Sequence, residues 1–362
     1  MKVIRSQMKI TRWLLARAAP EWMVVVALLL LTLLLREAFQ IPMQWPAISQ
    51  LNAVGMGYLV PFAVLCVWVI MPLPLFRQKR AWRQVSGQVI QQLSDAFCLG
   101  LVLILHFHIK LWAPLIHPVS YDSIYEVVDR TCFFWMDPLI AWRSHWPQIN
   151  WINHLYFVFF VWMFSISFVV HNIRGRSEFR RVFLASLLVQ AFGAILYVMA
   201  PAVGPFIYHT SANAWMGEME KSFYGVHQGL LAGGNNWLQY NTGPHLFEGL
   251  AAFPSLHAGA SFVFLYYSWR YCRWLSLLYG PFFVWIIFEA MATRWHYGID
   301  LIAGIALACG SIALSNLWMR VHEQAAGKGL LQAGSTLLVQ GLRLEESAVA
   351  DTSLGEPSSW FE

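Results

Sequence analysis

Residues Met23-Val24-Val25-Val26-Ala27-Leu28-Leu29-Leu30-Leu31-Thr32-Leu33-Leu34-Leu35 form an apolar run in which polar and apolar positions do not alternate. A strand of a membrane barrel would alternate at every second residue, so this run reads as helix. Extended to 21–39, it is long enough to carry a helix across about 30 Å of hydrocarbon, where every backbone polar group must be satisfied within the segment. Similar runs cover 53–76, 94–116, 151–171, 181–201, 255–272, 274–293 and 297–319. With 58% hydrophobic and 12% charged residues among 362, the chain carries more apolar surface than a water-soluble globule can hide. The predicted fold class is all-α, a polytopic membrane helical bundle of about eight spans.

Charge sets the expected orientation, because Lys and Arg accumulate on cytoplasmic flanks. Lys2, Arg5, Lys9, Arg12 and Arg17 precede the first run, and further clusters lie at Arg77 to Arg83, at Arg174 to Arg181, at Arg270 with Arg273, and in the tail. Of the 24 Lys and Arg, only Arg36, Lys110, Arg130, Arg143, Lys221 and Arg294 fall elsewhere. This pattern predicts an integral plasma (inner) membrane protein with both termini cytoplasmic. The first run lacks the small-residue cleavage pattern of a removable signal and is expected to stay as an anchor. The net charge of +5 then reports contact with anionic head groups, not a nucleic-acid partner. Cys66, Cys98, Cys272 and Cys309 fall within or at the ends of spans and Cys132 outside them, so neither a disulfide framework nor zinc-type spacing follows.

The chain divides into an N-terminal pair of spans (1–90), a six-helix core (91–320) and a polar tail (321–362). Two outer segments of the core exceed what a connection needs. Residues 117–150 mix Tyr121, Ile124, Tyr125, Val128 and Phe133-Phe134-Trp135 with Asp122, Glu126 and Asp129, which predicts one or two helices lying in the interface, aromatic side down. Residues 202–254 are rich in Gly, Pro, Asn and Trp, and Gly233-Gly234-Asn235-Asn236 reads as a turn or flexible point.

The chemistry concentrates in Phe253-Pro254-Ser255-Leu256-His257, at the start of one predicted span, and Thr293-Arg294-Trp295-His296-Tyr297-Gly298-Ile299-Asp300, at the start of another. Both spans run from outside to inside, so both present helix N-termini, with free N–H groups suited to phosphate, at one depth. Pro254 is expected in the first turn. On a helix His296 and Asp300 share a face, where the carboxylate holds the imidazole in one tautomer and raises its basicity. His257 is then available as proton donor to a leaving oxygen. Taken singly, each histidine reads more readily as a cap or structural residue than as a catalytic one. Two histidines and one carboxylate, without a cysteine or carboxylate cluster, fit phosphoryl transfer with neither metal nor cofactor.

These two motifs resemble those of the phosphatidic acid phosphatase type 2 superfamily, within it the branch of inositol phosphorylceramide and sphingomyelin synthases. The resemblance implies a six-helix core in which His296 attacks phosphorus, Asp300 orients it and His257 protonates the departing group. It also implies membrane lipids as partners, with a lipid phosphoester as substrate and a lipid, polyol or water hydroxyl as acceptor. Hydrolytic members carry a Lys and an Arg-Pro in a first motif and a Ser-Arg pair ahead of the third-motif histidine. Here Ala200-Pro201-Ala202-Val203-Gly204-Pro205 stands at the first, and Glu289 and Ala290 at the second. This favours a phosphotransferase over a lipid phosphate phosphatase; a non-catalytic lipid binder or transporter is the rival of another class.

Arg294, Ser255, Glu289 and Lys110 are the candidate substrate-binding residues. Arg294 reads as the strong cation beside the site. Glu289 is expected to pair with Arg294 or Lys110, and Lys110 either to serve the site or to snorkel to the surface. His106 and His108 share the outer half of the same span as Lys110. His209, Lys221 and His245 read as solvated loop residues within reach of a head group.

Overall fold

The computed structural model describes residues 19–45, 82–145, 152, 154–209, 211, 213–241 and 245–324. Among the described residues the fold is helical without strands. The helices are α1 (Pro20–Phe39), α2 (Trp82–Ile116), α3 (Asp122–Cys132), α4 (Asp137–Ser144), α5 (Leu155–Arg174), α6 (Arg176–Met199), α7 (Ala214–Tyr240), α8 (Leu256–Tyr271) and α9 (Arg273–Ala292), followed by α10 (Gly298–Gln324). The described residues between 21 and 316 belong to one compact unit, and residues 19–20 and 317–324 to another. The predicted span 53–76, the basic residues 2–17 and the tail beyond 324 lie outside the described residues.

Among the described residues six helices, α1, α2 from Gly87, α5, α6, α9 and α10, are long and apolar enough to cross a membrane. The run at 255–272 departs from expectation. Its helix, α8, has 16 residues, about 24 Å at 1.5 Å per residue, because Ser255 caps its start and Cys272 closes its end. Pro254 accordingly precedes the cap and does not occupy the first turn.

Ion pairs and one hydrogen bond tie the starts of α1 and α6 to one another and to the first half of α2. Arg180 grips Glu21 of α1 at 2.7 and 2.8 Å, Arg176 grips Asp95 of α2, and Trp22 donates to Ser94 at 3.1 Å. The other end of α1 leads to Ile41, which packs with Leu111 and Trp112 near the end of α2. Hence α1, α2 and α6 run in one direction. Buried residues occur along the whole of α6, from Phe179 to Tyr197, and it packs against α2, α5 and α8.

α8 and α10 run parallel to one another, and their crossing is set by glycine. A Cβ on Gly304 would collide with the Ser255 carbonyl, and one on Gly259 would stand 2.8 Å from the Gly304 carbonyl oxygen. Only two bare backbones approach this closely.

Of the two long segments, 117–150 holds the two short helices its composition predicts, whereas the described part of 202–254 is more helical than its composition predicts. Within 117–150, α3, a 3-10 turn over Phe134–Met136 and α4 follow in succession. On α3 the buried residues are Asp122 and Glu126, while Ile124 and Val127 stay exposed, as do Phe134, Trp135 and Trp142 beyond it. The acids face the protein and the apolar groups face outward, the arrangement of a helix bordering lipid. Within 202–254 the predicted loop is largely α7, which continues through the glycine-asparagine stretch across a kink at Gly234 (φ 55°).

Candidate active site

The second motif enters its helix through Ser255, whose extended backbone and hydroxyl cap the first turn, accepting from the Ala258 N–H at 3.5 Å. Ser255 is fully buried, and its own N–H donates to the Asp300 carbonyl at 3.0 Å. The two motifs are therefore joined backbone to backbone. The third motif begins at the end of α9, where the N–H groups of Trp295 and His296 both donate to the Ala290 carbonyl, at 3.2 and 3.1 Å. Arg294 makes this turn in the left-handed region (φ 61°), at a position where glycine is usual.

His296 thus precedes α10 and does not lie on it, contrary to the expectation from i,i+4 spacing. Its pairing with Asp300 arises differently. Asp300 folds back over the helix start, accepting from the Tyr297 N–H at 2.9 Å through Oδ2, and the same oxygen lies 3.4 Å from His296 Nδ1. Asp300 is fully buried and His296 is 6% exposed. At 3.4 Å this is an ion-pair contact, without a hydrogen bond at Nδ1 among the described residues, and the His296 ring is also engaged by the Ala252 backbone.

His257, on the first turn of α8, is close enough to His296 for the two imidazoles to interact electrostatically. Its ring sits among Tyr156, Phe157 and Phe160 of α5, with centroids 5.1, 5.8 and 4.5 Å away. Phe157 in turn meets Trp215 of α7 and Trp295, and Phe223 of α7 packs on Trp295.

Lys110 is turned inward, its ammonium 5.6 Å from the centre of the Tyr197 ring, and its charge acts on His106, His257 and His296. It does not snorkel, and Arg294 is not the sole cation beside the histidines. The close seat of Gly249 on the backbone of Leu111 and Lys110 lays the 245–255 segment across this part of α2. His106 and His108 take structural bonds, to the Gln190 carbonyl at 3.0 Å and to the Ile104 and Gln44 carbonyls at 2.7 and 2.8 Å. Glu289 pairs with neither Arg294 nor Lys110. Both its oxygens are held by Arg143 of α4, at 2.9 and 2.7 Å, and both side chains are buried. His209, Lys221 and His245 bond Glu126, Glu218 and Glu248 respectively.

The acids of α3 were visible in the sequence only as one amphipathic face, yet they hold the site's frame. Asp122 accepts from the N–H groups of Val203 and Gly204 at 2.8 to 3.0 Å and from the Tyr297 hydroxyl at 3.0 Å. Asp129 accepts from the Gly298 N–H at 2.8 Å, supplying the first turn of α10 with a carboxylate. Burial, together with the charges of Asp300 and Glu126, pushes Asp129 up to about 7. Glu220 on α7 is buried with one oxygen unpartnered, and burial raises it to about 8.

A cavity of about 380 Å³ opens beside the third motif, between α3, α4 and the Arg294 turn. Among the described residues no group of three or more His, Cys, Asp or Glu is arranged to hold a metal ion.

No curated protein and no solved structure matched the chain. A model of the PAP2 superfamily matches residues 123–314, more than half of the sequence and the whole stretch from α3 through both histidine motifs. The chain is a membrane protein that belongs to the PAP2 superfamily.

Proposed function

We propose that this protein is a lipid phosphotransferase, resembling the inositol phosphorylceramide and sphingomyelin synthase branch, that moves a phosphoryl-bearing head group through a phosphohistidine on the extracytoplasmic side of the membrane. The observation that carries this reading is the union of the two motifs, locked by the Ser255 to Asp300 bond, with His296 against Asp300 and His257 beside them.

In the first step a ring nitrogen of His296 attacks phosphorus and the bond from phosphorus to the leaving oxygen breaks. His257 gives that oxygen its proton. Asp300 steadies the positive charge that grows on the His296 ring. In the second step the acceptor hydroxyl attacks phosphorus, the P–N bond breaks, and the hydroxyl proton passes to His257. His257 ends as it began. Lys110 contributes positive charge beside the reacting phosphoryl group.

The aromatic sheath of His257 favours transfer over hydrolysis. Tyr156, Phe157 and Phe160, roofed by Trp215, Phe223 and Trp295, limit the water that reaches an intermediate, while an amphiphilic alcohol can enter. The test is incubation of the purified protein with labelled phospholipids, prenyl phosphates and ceramide. Head-group exchange exceeding phosphate release supports transfer, whereas steady phosphate release that no alcohol diverts assigns the site to a phosphatase.

A further inference from the structure

The cavity beside the third motif contains both signs of charge, unequally engaged. Glu126 is already satisfied: Arg130 bonds it at 2.7 Å and His209 at 2.9 Å, and despite burial these partners hold its carboxyl below the usual range. Three other charged groups on the wall are differently placed. Arg294 has no side-chain partner among the described residues, although its backbone is pinned in the left-handed region and its carbonyl accepts from the Phe206 N–H at 3.0 Å. Asp137, at the start of α4, is exposed and unpaired among the described residues. Asp129 accepts from the Gly298 N–H and is also engaged by the Ile299 backbone.

Among the described residues this wall therefore presents one guanidinium without a side-chain partner, Arg294, beside two carboxylates, while Arg130 is tied through Nε to Glu126 and Phe133, Ile140 and Met291 supply apolar wall. A purely anionic ligand would meet Arg294 but be repelled by the two acids. A purely cationic one would meet the acids but be repelled by Arg294. A molecule carrying both charges a few bonds apart satisfies all three. The left-handed backbone of Arg294 adds an independent sign. A non-glycine residue held there costs about 1 kcal/mol or more, and such strain persists where the side chain it aims has a use.

We infer that this cavity is a head-group subsite for a zwitterionic phosphate ester bearing a primary amine, with Arg294 holding the phosphate oxygens and Asp137 and Asp129 the ammonium. This deepens the phosphotransferase reading and rests on it for the use made of the bound ligand. The binding itself does not depend on turnover.

The experiment is equilibrium binding to the purified full-length protein and its His296→Ala variant. The soluble probes are glycerophosphoethanolamine, glycerol 3-phosphate and ethanolamine; nanodiscs with and without phosphatidylethanolamine separate a lipid head group from a free one. The zwitterion should bind at least about tenfold more tightly than either half, since a charge-assisted hydrogen bond is worth that much. Asp137→Asn should weaken the zwitterion about tenfold and leave glycerol 3-phosphate unchanged or tighter. Arg294→Gln should weaken both phosphate probes. Equal affinity for glycerol 3-phosphate and the zwitterion, or insensitivity to both substitutions, overturns the subsite. Selective binding without any phosphoenzyme would keep the subsite and reject the reaction; a phosphoenzyme without selectivity would do the reverse.

Discussion

The N–H of Ser255 donates to the carbonyl of Asp300, 3.0 Å away, and through this one bond the helix that carries His257 is fixed to the helix behind His296. The crossing that permits it leaves no room for a side chain, since a Cβ at position 304 would overlap the Ser255 carbonyl. Gly304→Ala should therefore part the two motifs. Overpacking of this kind costs about 1–3 kcal/mol, so a lowered melting temperature should accompany loss of activity. Unaltered turnover in Gly304→Ala would show that the crossing does not control the site.

The ion pair of Arg143 and Glu289 is buried on both sides. Arg143→Ala should destabilise the protein by about 3–5 kcal/mol, because a carboxylate is left in the interior without its partner. The double variant Arg143→Met with Glu289→Met should recover most of that loss. Chemical or thermal unfolding in detergent checks both, and a double variant no better than the single would contradict the pairing argument.

Asp129 bears on pH dependence. Its folded-state value, about 7, lies above the ordinary 3.8, so folding takes up a proton. The corresponding stability is complete below the ordinary value and is lost as pH rises through about 7. Melting temperature should fall between about pH 4 and pH 7, the window those two values span, and Asp129→Asn should flatten that slope. An identical slope in the variant would assign the titration to another group.

The left-handed turn at Arg294 predicts a trade of stability against binding. Arg294→Gly should raise stability by about 1 kcal/mol, because glycine adopts this conformation freely. The same change should abolish whatever anion binding the guanidinium provides. A melting temperature that drops would show that the Arg294 side chain contributes more to packing than its backbone costs.

The sequence makes the apolar helices legible because hydrocarbon thickness imposes a length that composition records directly. The meeting of the two motifs was legible for a similar reason, since spans of the same direction place their starts at one depth. Spacing alone misplaced His296: it precedes α10, and Asp300 reaches it by folding over the helix start. α7 was hidden because Gly233, Gly234, Asn235 and Asn236 carry turn chemistry, which the chain accommodates as a kink inside the helix. The partner of Glu289 was beyond reach, as Arg143 stands 146 residues away and only the packing of α4 on α9 joins them. In the sequence the acids of α3 form one face of an amphipathic helix, but periodicity does not say which backbone N–H groups such a face will meet.

The most direct test of the account is acid-quench-sensitive trapping of the phosphoenzyme with phosphorus-labelled lipid substrate. Base-stable, acid-labile label should appear on the wild-type protein, map to the peptide containing His296, and vanish in His296→Ala. In His257→Ala the label should form slowly, most of all from substrates with poor leaving groups. A normal level of labelled phosphoenzyme in His296→Ala would contradict the assignment of His296 as nucleophile, and with it the proposed mechanism.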